Sequence, residues 1–354
     1  MGSMYVWIPR YAYAITDNYH YGVSGASGTI KIAFLEGNKT YSTGSSISYT
    51  YQGTSGTAVL ANKTGESNWN EHPAFNFGGT ILRGIWVAKF EASRSNAGAD
   101  KNSAGSDNTI KIQPNVTSWR DTKIGDMFTY CQNMNSSSKA SIYGISTNKN
   151  EMDPHMMKNM EWGAVAYLTH SNYGRNGNKI YINNSSDFIT GNSGGSTSAS
   201  DKAGTTYAYN TQNGQKASTT GNISGIYDMN GGASEYVSAY LNNENYILET
   251  NGSSIINTNL KYKDVYDEGI GDNSSDNYSA NGSIYGDAIY ETSSRGTLGY
   301  SWFSETSEFP YYVNTFFERG GPYMDSSQSG IFNFRYYNGR DYDLDSFRPV
   351  LAVF

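Results

Sequence analysis

The chain has 354 residues, a formal net charge of -7, a pI of about 5.2 and a mean hydropathy of -0.60, with 39 glycines and 31 tyrosines. This length is enough for one large domain or two small ones, with a real core either way. The acidic balance argues against nucleic acid or anionic lipid as a partner, and no apolar run reaches the roughly 18 residues that membrane insertion needs. The single cysteine, Cys131, excludes an internal disulfide.

Short aromatic and β-branched runs predict strands in the N-terminal region, residues 4–91. We expect these strands over residues 4–13, 29–35 and 80–91. Pro9 interrupts the first run, which predicts an edge or an end of the strand there. The polar stretches 36–70 and 92–110 are predicted to be loops.

Two core helices are predicted within residues 114–170. Ser118 is a natural N-cap for the first, with Asp121 three residues later as in a capping box. Its apolar stripe is Ile124, Met127, Phe128, Cys131 and Met134. Cys131 therefore fits a small buried apolar side chain better than a reactive thiol. The second helix is expected over residues 159–170, with Met160, Ala164, Tyr167 and Leu168 on one face.

Two stretches, residues 171–221 and 250–298, are poor in apolar residues and dense in Asn, Gly and Ser. We interpret both as loop insertions between core elements. The pattern predicts a single domain over residues 1–354, of α+β class, with two helices, short strands and long loop insertions.

The C-terminal segment, residues 319–354, combines two rigid-looking ends with a polar and aromatic middle. Tyr and Arg beside Ser, Asn and Gly form the composition of a binding surface. Apolar residues within the segment are expected to hold it to the core while the polar positions face away; these anchors are Ile331, Phe332, Phe334, Leu344 and Phe347. The alternative is an ordinary surface loop, because the whole chain is rich in the same residue types.

Several spaced motifs resemble the formylglycine-generating-enzyme branch of the C-type lectin fold. They lie in the expected order along most of the chain, at residues 84–91, 114–119, 157–162, 222–236, 319–321 and 347–348. This resemblance implies a C-type lectin fold. The enzymes of that family use a pair of cysteines with copper near the C-terminal signature. The present chain has one cysteine, on the predicted first helix, so we expect no catalytic residues and no enzyme activity.

Within that fold, the C-terminal segment is similar to the variable proteins of diversity-generating retroelements. Those proteins keep an Arg-Gly-Gly and Phe-Arg scaffold and vary the positions between. The resemblance implies a scaffold made of Arg319, Gly320, Gly321, Phe347 and Arg348. It implies that ligand-binding, variable positions are Tyr323, Asp325, Ser326, Ser327, Ser329, Asn333, Arg335, Tyr336, Tyr337, Asn338, Asp341, Tyr342, Asp343, Asp345 and Ser346. Arg319 and Arg348 could instead contact a ligand, but buried guanidinium groups that bridge strand ends are favoured.

Metal sites have little support in the sequence. The four histidines show no ligand spacing. An acidic stretch could bind calcium, but a solvated acidic loop is favoured; its residues are Asp264, Asp267, Glu268, Asp272 and Asp276. We therefore expect no cofactor, with calcium as the one candidate.

The leading hypothesis is a ligand-binding display protein that recognises a cell-surface protein or glycan. It would act at a phage tail tip as a receptor-binding protein, or on a bacterial cell surface as an adhesin. The alternatives are a formylglycine-generating-type oxidase and a minor pilin or other structural subunit.

Overall fold

Regular structure in the chain consists mostly of short strands, with few helices. The computed structural model describes residues 2–17, 19–20, 27–63, 67–94, 108–200, 205–294 and 299–354. The helices are α1 (Ile124–Gln132), α2 (Ala140–Tyr143), α3 (Asn159–His170), α4 (Tyr246–Ile256) and α5 (Ser274–Ala280). Among the described residues, every helix is too short or too polar to cross a lipid bilayer.

The strands are numbered in chain order. The N-terminal half contains β1 (Tyr5–Pro9), β2 (Tyr11–Thr16), β3 (Thr29–Phe34), β4 (Ser46–Tyr51), β5 (Thr54–Val59), β6 (Asn70–Glu71), β7 (Asn76–Phe77), β8 (Thr80–Ile81), β9 (Gly84–Ala88), β10 (Ser93–Arg94), β11 (Ile110–Lys111) and β12 (Met152–Met156). The C-terminal half contains β13 (Ser234–Asn242), β14 (Asp264–Asp267), β15 (Gly299–Tyr300), β16 (Thr306–Ser307), β17 (Phe316–Gly320), β18 (Gly330–Tyr337), β19 (Asp345–Phe347) and β20 (Pro349–Val353).

Two sheets organise the molecule. One has four strands in the order β1-β9-β20-β12, so the chain's two ends lie in the same sheet. The other has seven strands: the path β14-β13-β17-β18-β16-β15, with β19 pairing beside β13. Strand β13 is buried along almost its whole length, pairs in parallel with β14 and β19, and pairs antiparallel with β17. The predicted C-terminal segment thus supplies β18 and β19 to one sheet and β20 to the other.

The N-terminal strand prediction is right in position but merges separate strands. Residues 4–13 form β1 and β2, which pair in different sheets, and Pro9 ends the first of them opposite Gly84. Residues 80–91 likewise contain β8 and β9. Residues 36–70, predicted as a loop, contain the β4–β5 hairpin, whose cross-strand pair Ile47 and Ala58 is buried in a small apolar cluster. Most of the predicted loop 92–110 lies outside the described residues.

The helix predictions differ in accuracy. Helix α3 has the predicted bounds. At its N-terminus the Glu161 carboxylate accepts a hydrogen bond from the Lys158 backbone amide at 2.9 Å, which caps the helix. The first helix begins at Ile124, not after Ser118, whose side chain is buried. The predicted apolar stripe is buried in full, and burial raises the pKa of the Cys131 thiol, which disfavours the thiolate form.

The stretch 250–298 is not a plain loop insertion. It contains most of α4, the sheet strand β14 and α5, so the prediction of only two helices is wrong. The stretch 171–221 is largely irregular, as predicted, but many of its side chains are buried against the core. Residues 201–204 and 295–298 of these two stretches lie outside the described residues.

The interior joins the two sheets around one charged group. Arg348, fully buried between β19 and β20, donates to the Glu235 carboxylate with its Nε at 3.0 Å and with Nη2. Its other donors reach the Ala88 carbonyl oxygen at 2.8 Å and the Tyr227 carbonyl oxygen at 3.0 Å. Ala88 ends β9 of the four-stranded sheet and Glu235 lies on β13 of the seven-stranded sheet. One side chain therefore bridges both sheets.

Two more buried carboxyl groups surround this arginine. Burial raises the pKa of Glu91 well above its usual range, and the nearby charges of Asp228 and Glu235 add to that shift. Asp228 accepts hydrogen bonds from the Asn183 amide group at 2.9 Å and the Gly191 backbone at 2.8 Å. The cluster thus holds three carboxyl groups around one guanidinium group, which makes Arg348 hard to replace.

We expect Arg348→Met to destabilise the fold by about 3–5 kcal/mol, because it leaves buried carboxylates without their cation. Equilibrium unfolding in urea measures this free energy. Arg83→Met, at an exposed position, is the matched control and should shift the free energy of unfolding by less than about 0.5 kcal/mol. Equal effects of the two substitutions would contradict a bridging role for Arg348.

Candidate functional site

Strand β18 changes from buried to exposed along its length. Ile331, Phe332 and Phe334 are buried in the core, and the Ile331 carbonyl oxygen accepts a hydrogen bond from the Trp162 indole at 2.7 Å. The following residues, Arg335, Tyr336 and Tyr337, are half-buried. The strand therefore leaves the core at Arg335 and carries three large polar side chains to the surface.

Two separate parts of the C-terminal segment meet at this end of β18. The turn 323–328 reaches Arg335, whose Nη1 lies 2.6 Å from Asp325 Oδ2. The loop 338–344 returns to Tyr337. The centroid of the Tyr337 ring lies 5.2 Å from that of the Tyr342 ring, and the Tyr337 hydroxyl accepts a hydrogen bond from Arg340 Nε at 2.9 Å. Arg335 and Tyr337 lie on the same face of β18, so this face of the strand end contacts both the turn and the loop.

Eleven of the fifteen predicted ligand-binding positions have partly or fully exposed side chains. They are Tyr323, Asp325, Ser326, Ser327, Arg335, Tyr336, Tyr337, Asn338, Asp341, Tyr342 and Asp343. We call this set the display surface. The Tyr336 ring also packs edge-on against Tyr311, with ring centroids 4.9 Å apart. A tyrosine from outside the C-terminal segment therefore supports Tyr336.

The other four predicted positions require correction, because their side chains lie inside the protein. Ser329 donates to the Pro322 carbonyl oxygen at 2.7 Å, and Asn333 donates to the Gln328 carbonyl oxygen at 2.8 Å. Asp345 and Ser346 lie on β19 against β13 and are at most 1% exposed. Ser329 and Asn333 hold the turn in place, Asp345 and Ser346 are buried in the sheet, and none of the four can reach a ligand in this conformation.

The predicted scaffold residues are buried at the edges of the segment. Arg319 donates to Asn159 Oδ1 at 3.3 Å and to the carbonyl oxygens of Asp287 and Ala288, each at 3.2 Å. Burial lowers its pKa to about 10. Gly320 and Gly321 have φ values of 81° and 68°, a region that glycine adopts without steric cost. The chain turns sharply here, directly before the display surface.

Lys179, which the sequence reasoning missed, anchors the turn from the stretch 171–221. Its ammonium group donates to the carbonyl oxygens of Ser327 at 2.8 Å and Ser329 at 2.7 Å, and lies 3.0 Å from Glu305 Oε1. Glu305 is fully buried and accepts from the Phe332 amide at 2.7 Å. A Cβ atom on Gly330 would lie 1.7 Å from Glu305 Oε1, so only glycine fits there. One ion pair therefore fixes the turn and the start of β18.

Arg120 and Phe188 support the other side of the display surface and were also missed. The Arg120 guanidinium carbon lies 3.6 Å from the centroid of the Phe188 ring, and Nη1 donates to the Asp343 carbonyl oxygen. The Phe188 ring in turn meets Tyr323 edge-on at 5.1 Å. These residues come from the segment before α1 and from the stretch 171–221, and no local motif marks them.

These contacts surround an open cleft of about 850 Å³ beside the display surface. Residues of the C-terminal segment and residues from earlier in the chain line it together: Thr117, Arg120, Ser186, Asp187, Phe188, Ile189, Tyr323, Met324, Tyr342, Asp343 and Leu344. The volume is in the range of small-ligand sites. We call it the side cleft.

A pair of acids lies beneath the display surface. Asp345 forms side-chain hydrogen bonds with Glu318 and Tyr236, and burial raises its pKa to about 7. Burial and the charge of Asp345 together raise the pKa of Glu318 well above its usual range. Two carboxyl groups in hydrogen-bond contact need at least one proton between them, so the pair keeps at least one proton near neutral pH.

The predicted calcium stretch does not form a cluster of ligands. The Asp264 carboxylate accepts from the Met160 amide at 2.8 Å, whereas Asp272 accepts from the Tyr312 amide at 3.1 Å and Asp276 from the Asn273 side chain at 2.7 Å. Within the part of the chain that the structure describes, no three acidic, histidine or cysteine residues come close enough together to hold a metal ion.

The comparisons with known proteins found similarity in structure and none in sequence. A scan against protein-family models found no match, and a search of curated proteins found no similar sequence. Among solved structures, the chain is similar to Treponema denticola variable protein 1, with 10% sequence identity and a TM-score of 0.34. That alignment covers 86% of this chain and 98% of the other.

The acid pair predicts a pH dependence of stability. An unfolded aspartate titrates near 3.9, so the raised folded pKa of Asp345 contributes stability below about pH 4 that is lost as the pH rises to about 7. The free energy of unfolding, measured in urea from pH 4 to 8, should therefore fall relative to Asp345→Asn by on the order of 4 kcal/mol. Asp341→Asn, at an exposed position, controls for net charge. Parallel pH profiles of wild type and Asp345→Asn would rule out the shared proton.

The Lys179 anchor predicts a local effect on the turn. Lys179→Met should cost about 3 kcal/mol of stability, because Glu305 keeps a buried charge without its cation. Hydrogen exchange should become faster at the amides of residues 326–332. Adding Glu305→Gln should recover part of the lost stability, since it removes the unpaired charge. Lys149→Met, at a more exposed ion pair, is the control; exchange that stays slow in Lys179→Met would show that the turn holds itself.

Proposed function

We propose that this chain is a non-enzymatic display protein that binds a ligand through the display surface. The observation that carries the proposal is the convergence of the turn 323–328, the end of β18 and the loop 338–344 into one surface. Eleven polar or aromatic side chains of this surface reach solvent, while the polar residues between them are tied into the core. Such an arrangement holds large contact groups in place before binding, which lowers the entropy cost of association.

The composition of the surface suits recognition. Four tyrosines, Tyr323, Tyr336, Tyr337 and Tyr342, supply contact area with few rotatable bonds, and short polar side chains adapt their hydrogen bonds. We propose Tyr337 and Tyr342, which lie against each other, as central anchors. The ligand class is a protein or glycan on another cell.

The sequence resemblance refines this proposal. The Arg-Gly-Gly and Phe-Arg ends match the scaffold of diversity-generating variable proteins, so we propose a C-type lectin fold of the formylglycine-generating-enzyme type with exchangeable display positions. The protein would then act at a phage tail tip or on a bacterial surface. The oxidase alternative has less support, because Cys131 is buried in α1 and its thiol pKa is raised by burial. The structural-subunit alternative would use the same surface for assembly.

Tolerance to exchange tests the proposal. A library that randomises the eleven display positions should remain folded in most members, because those side chains are not needed by the core. A matched library at the four interior positions, Ser329, Asn333, Asp345 and Ser346, should lose folding in most members. Protease resistance on yeast display measures both.

Binding selections complete the test. The display library should give specific binders to unrelated soluble proteins such as lysozyme, and replacing residues 337 and 342 of a selected binder by Ala should remove that binding without unfolding the chain. A display library that loses folding as often as the interior library would contradict the proposal. A near-copy of the coding segment for residues 323–346, differing only at adenines and beside a reverse-transcriptase gene, would support the diversified form.

A further inference from the structure

An apolar cavity of about 190 Å³ lies beside β1. Its deeper walls include Ile8 and Val165, which are at most 4% exposed, and Leu168 is half-buried. Phe34 and Tyr173 also line it and are 40% and 41% exposed, so a small molecule can enter between them from solvent. Among the described residues, the lining contains no charged side chain. We call it the edge cavity.

Strand β1 has an open edge. It lies at the end of the four-stranded sheet, where β9 is its one neighbour among the described strands. The Arg10 amide donates to the Arg83 carbonyl oxygen at 2.9 Å, and in an antiparallel pair such bonded positions alternate along the strand. Trp7 lies three positions earlier, so its N–H and C=O point away from β9. Within the part of the chain that the structure describes, no other group hydrogen-bonds to either of them.

These two backbone groups face the edge cavity. Val6, Trp7 and Ile8 all line it, although successive side chains of a strand point to opposite faces, so the cavity runs along the open edge of the strand. The Trp7 ring is held against β9: its centroid lies 5.2 Å from that of Trp86, and a Cβ atom at Gly84 would lie 2.5 Å from Trp7 Cζ2. The open edge therefore brings one donor and one acceptor to a mostly apolar wall.

The hydroxyl groups of this wall already have partners. They are Tyr173, which donates to the Thr50 carbonyl oxygen at 3.1 Å, Thr169, which donates to the Val165 carbonyl oxygen at 2.6 Å, Thr220, which donates to Asn222 Oδ1 at 3.0 Å, and Thr219, which accepts from the Ile226 amide at 2.9 Å. The Trp7 backbone is thus the part of the wall that offers both an unused donor and an unused acceptor.

We propose that the edge cavity binds a phenol ring. An apolar cavity of about 150 Å³ in a protein takes up benzene, so this slightly larger cavity holds one such ring with a substituent. Phe34 and Tyr173 meet edge-on with ring centroids 4.8 Å apart, and a third ring can pack against this pair. A phenol hydroxyl is both donor and acceptor, so it can donate to the Trp7 carbonyl oxygen and accept from the Trp7 amide.

This site is separate from the display surface. Every residue that lines the edge cavity precedes position 221, so exchange within the C-terminal segment would leave the phenol site unchanged. The ring can belong to a free phenol or to a tyrosine side chain of another polypeptide, since both present the same chemistry to the cavity.

Fluorine NMR with 4-fluorophenol tests the proposal on the full chain. Titration with the protein should give a saturable change in the shift or width of the fluorine signal. Fluorobenzene lacks the hydroxyl group and 4-fluoroanisole lacks the donor, so each should bind at least about threefold more weakly.

Substitutions locate the bound ring. Leu168→Phe fills the cavity and should weaken the binding of 4-fluorophenol at least about tenfold. Leu260→Phe, at a position that is 72% exposed and outside the cavity lining, is the matched control and should bind as wild type does. Phe34→Ala removes an exposed wall and should weaken binding at least about threefold, which keeps the test valid if Leu168→Phe does not fold.

Competition distinguishes the two sources of the ring. If a capped peptide Ala-Ala-Tyr-Ala-Ala displaces 4-fluorophenol at a concentration more than about tenfold below that of p-cresol, the site takes a tyrosine side chain, because the peptide backbone also pairs with β1. Any smaller advantage of the peptide assigns the site to a free phenol. Absence of saturable 4-fluorophenol binding, equal affinity for fluorobenzene, or unchanged binding in both Leu168→Phe and Phe34→Ala would each overturn the proposal.

Discussion

The fold depends on one buried guanidinium group. Arg348 joins the strand that carries Glu235 to the strand that ends at Ala88, and so holds the two largest sheets together. The same residue directly follows β19, which comes just after the last residues of the display surface. The position of the display surface relative to the core is therefore set by a charged contact and not by apolar packing alone. Because three carboxyl groups surround the arginine, no apolar side chain of similar size can replace it without leaving charge behind.

Around that contact, the chain separates positions that fix the structure from positions that face solvent, often in neighbouring residues. On β18, Phe334 is buried in the core and Arg335 reaches the surface. In the following loop, Asp343 lines the cleft, whereas Asp345 belongs to the interior acid pair. Both classes contain Asp, Ser and Asn, so residue type alone does not distinguish them. The interior ones are recognised by their hydrogen bonds to the turn and to β13.

Sequence reasoning located the elements whose pattern is local and strong. Helix α3 has the expected bounds because its apolar residues and its Glu161 cap lie within one short stretch. Helix α4 was not predicted, because Gly252 interrupts a weak helical sequence. The structure explains this glycine, since a Cβ atom at position 252 would collide with the Phe316 ring. At the site, the exposed tyrosines could be predicted, but the burial of Asn333 could not, since the turn that covers it folds back from earlier in the chain. Lys179 and Arg120 lie 150 and 223 positions from the residues they hold, so no local motif reports them.

The Lys179 contact has a consequence for engineering. The conformation of the turn 323–328 depends on residues outside the C-terminal segment. The Lys179 ammonium group, from the irregular stretch 171–221, donates to carbonyl oxygens at the turn. The same stretch provides the Ser198 carbonyl oxygen, which accepts a hydrogen bond from the Ser326 hydroxyl at 2.6 Å. A graft of the C-terminal segment onto a foreign scaffold would therefore leave these partners behind. The transferable unit is the segment together with the irregular stretch that braces it. The stretch 171–221, although poor in apolar residues, is thus part of the unit that must be transferred.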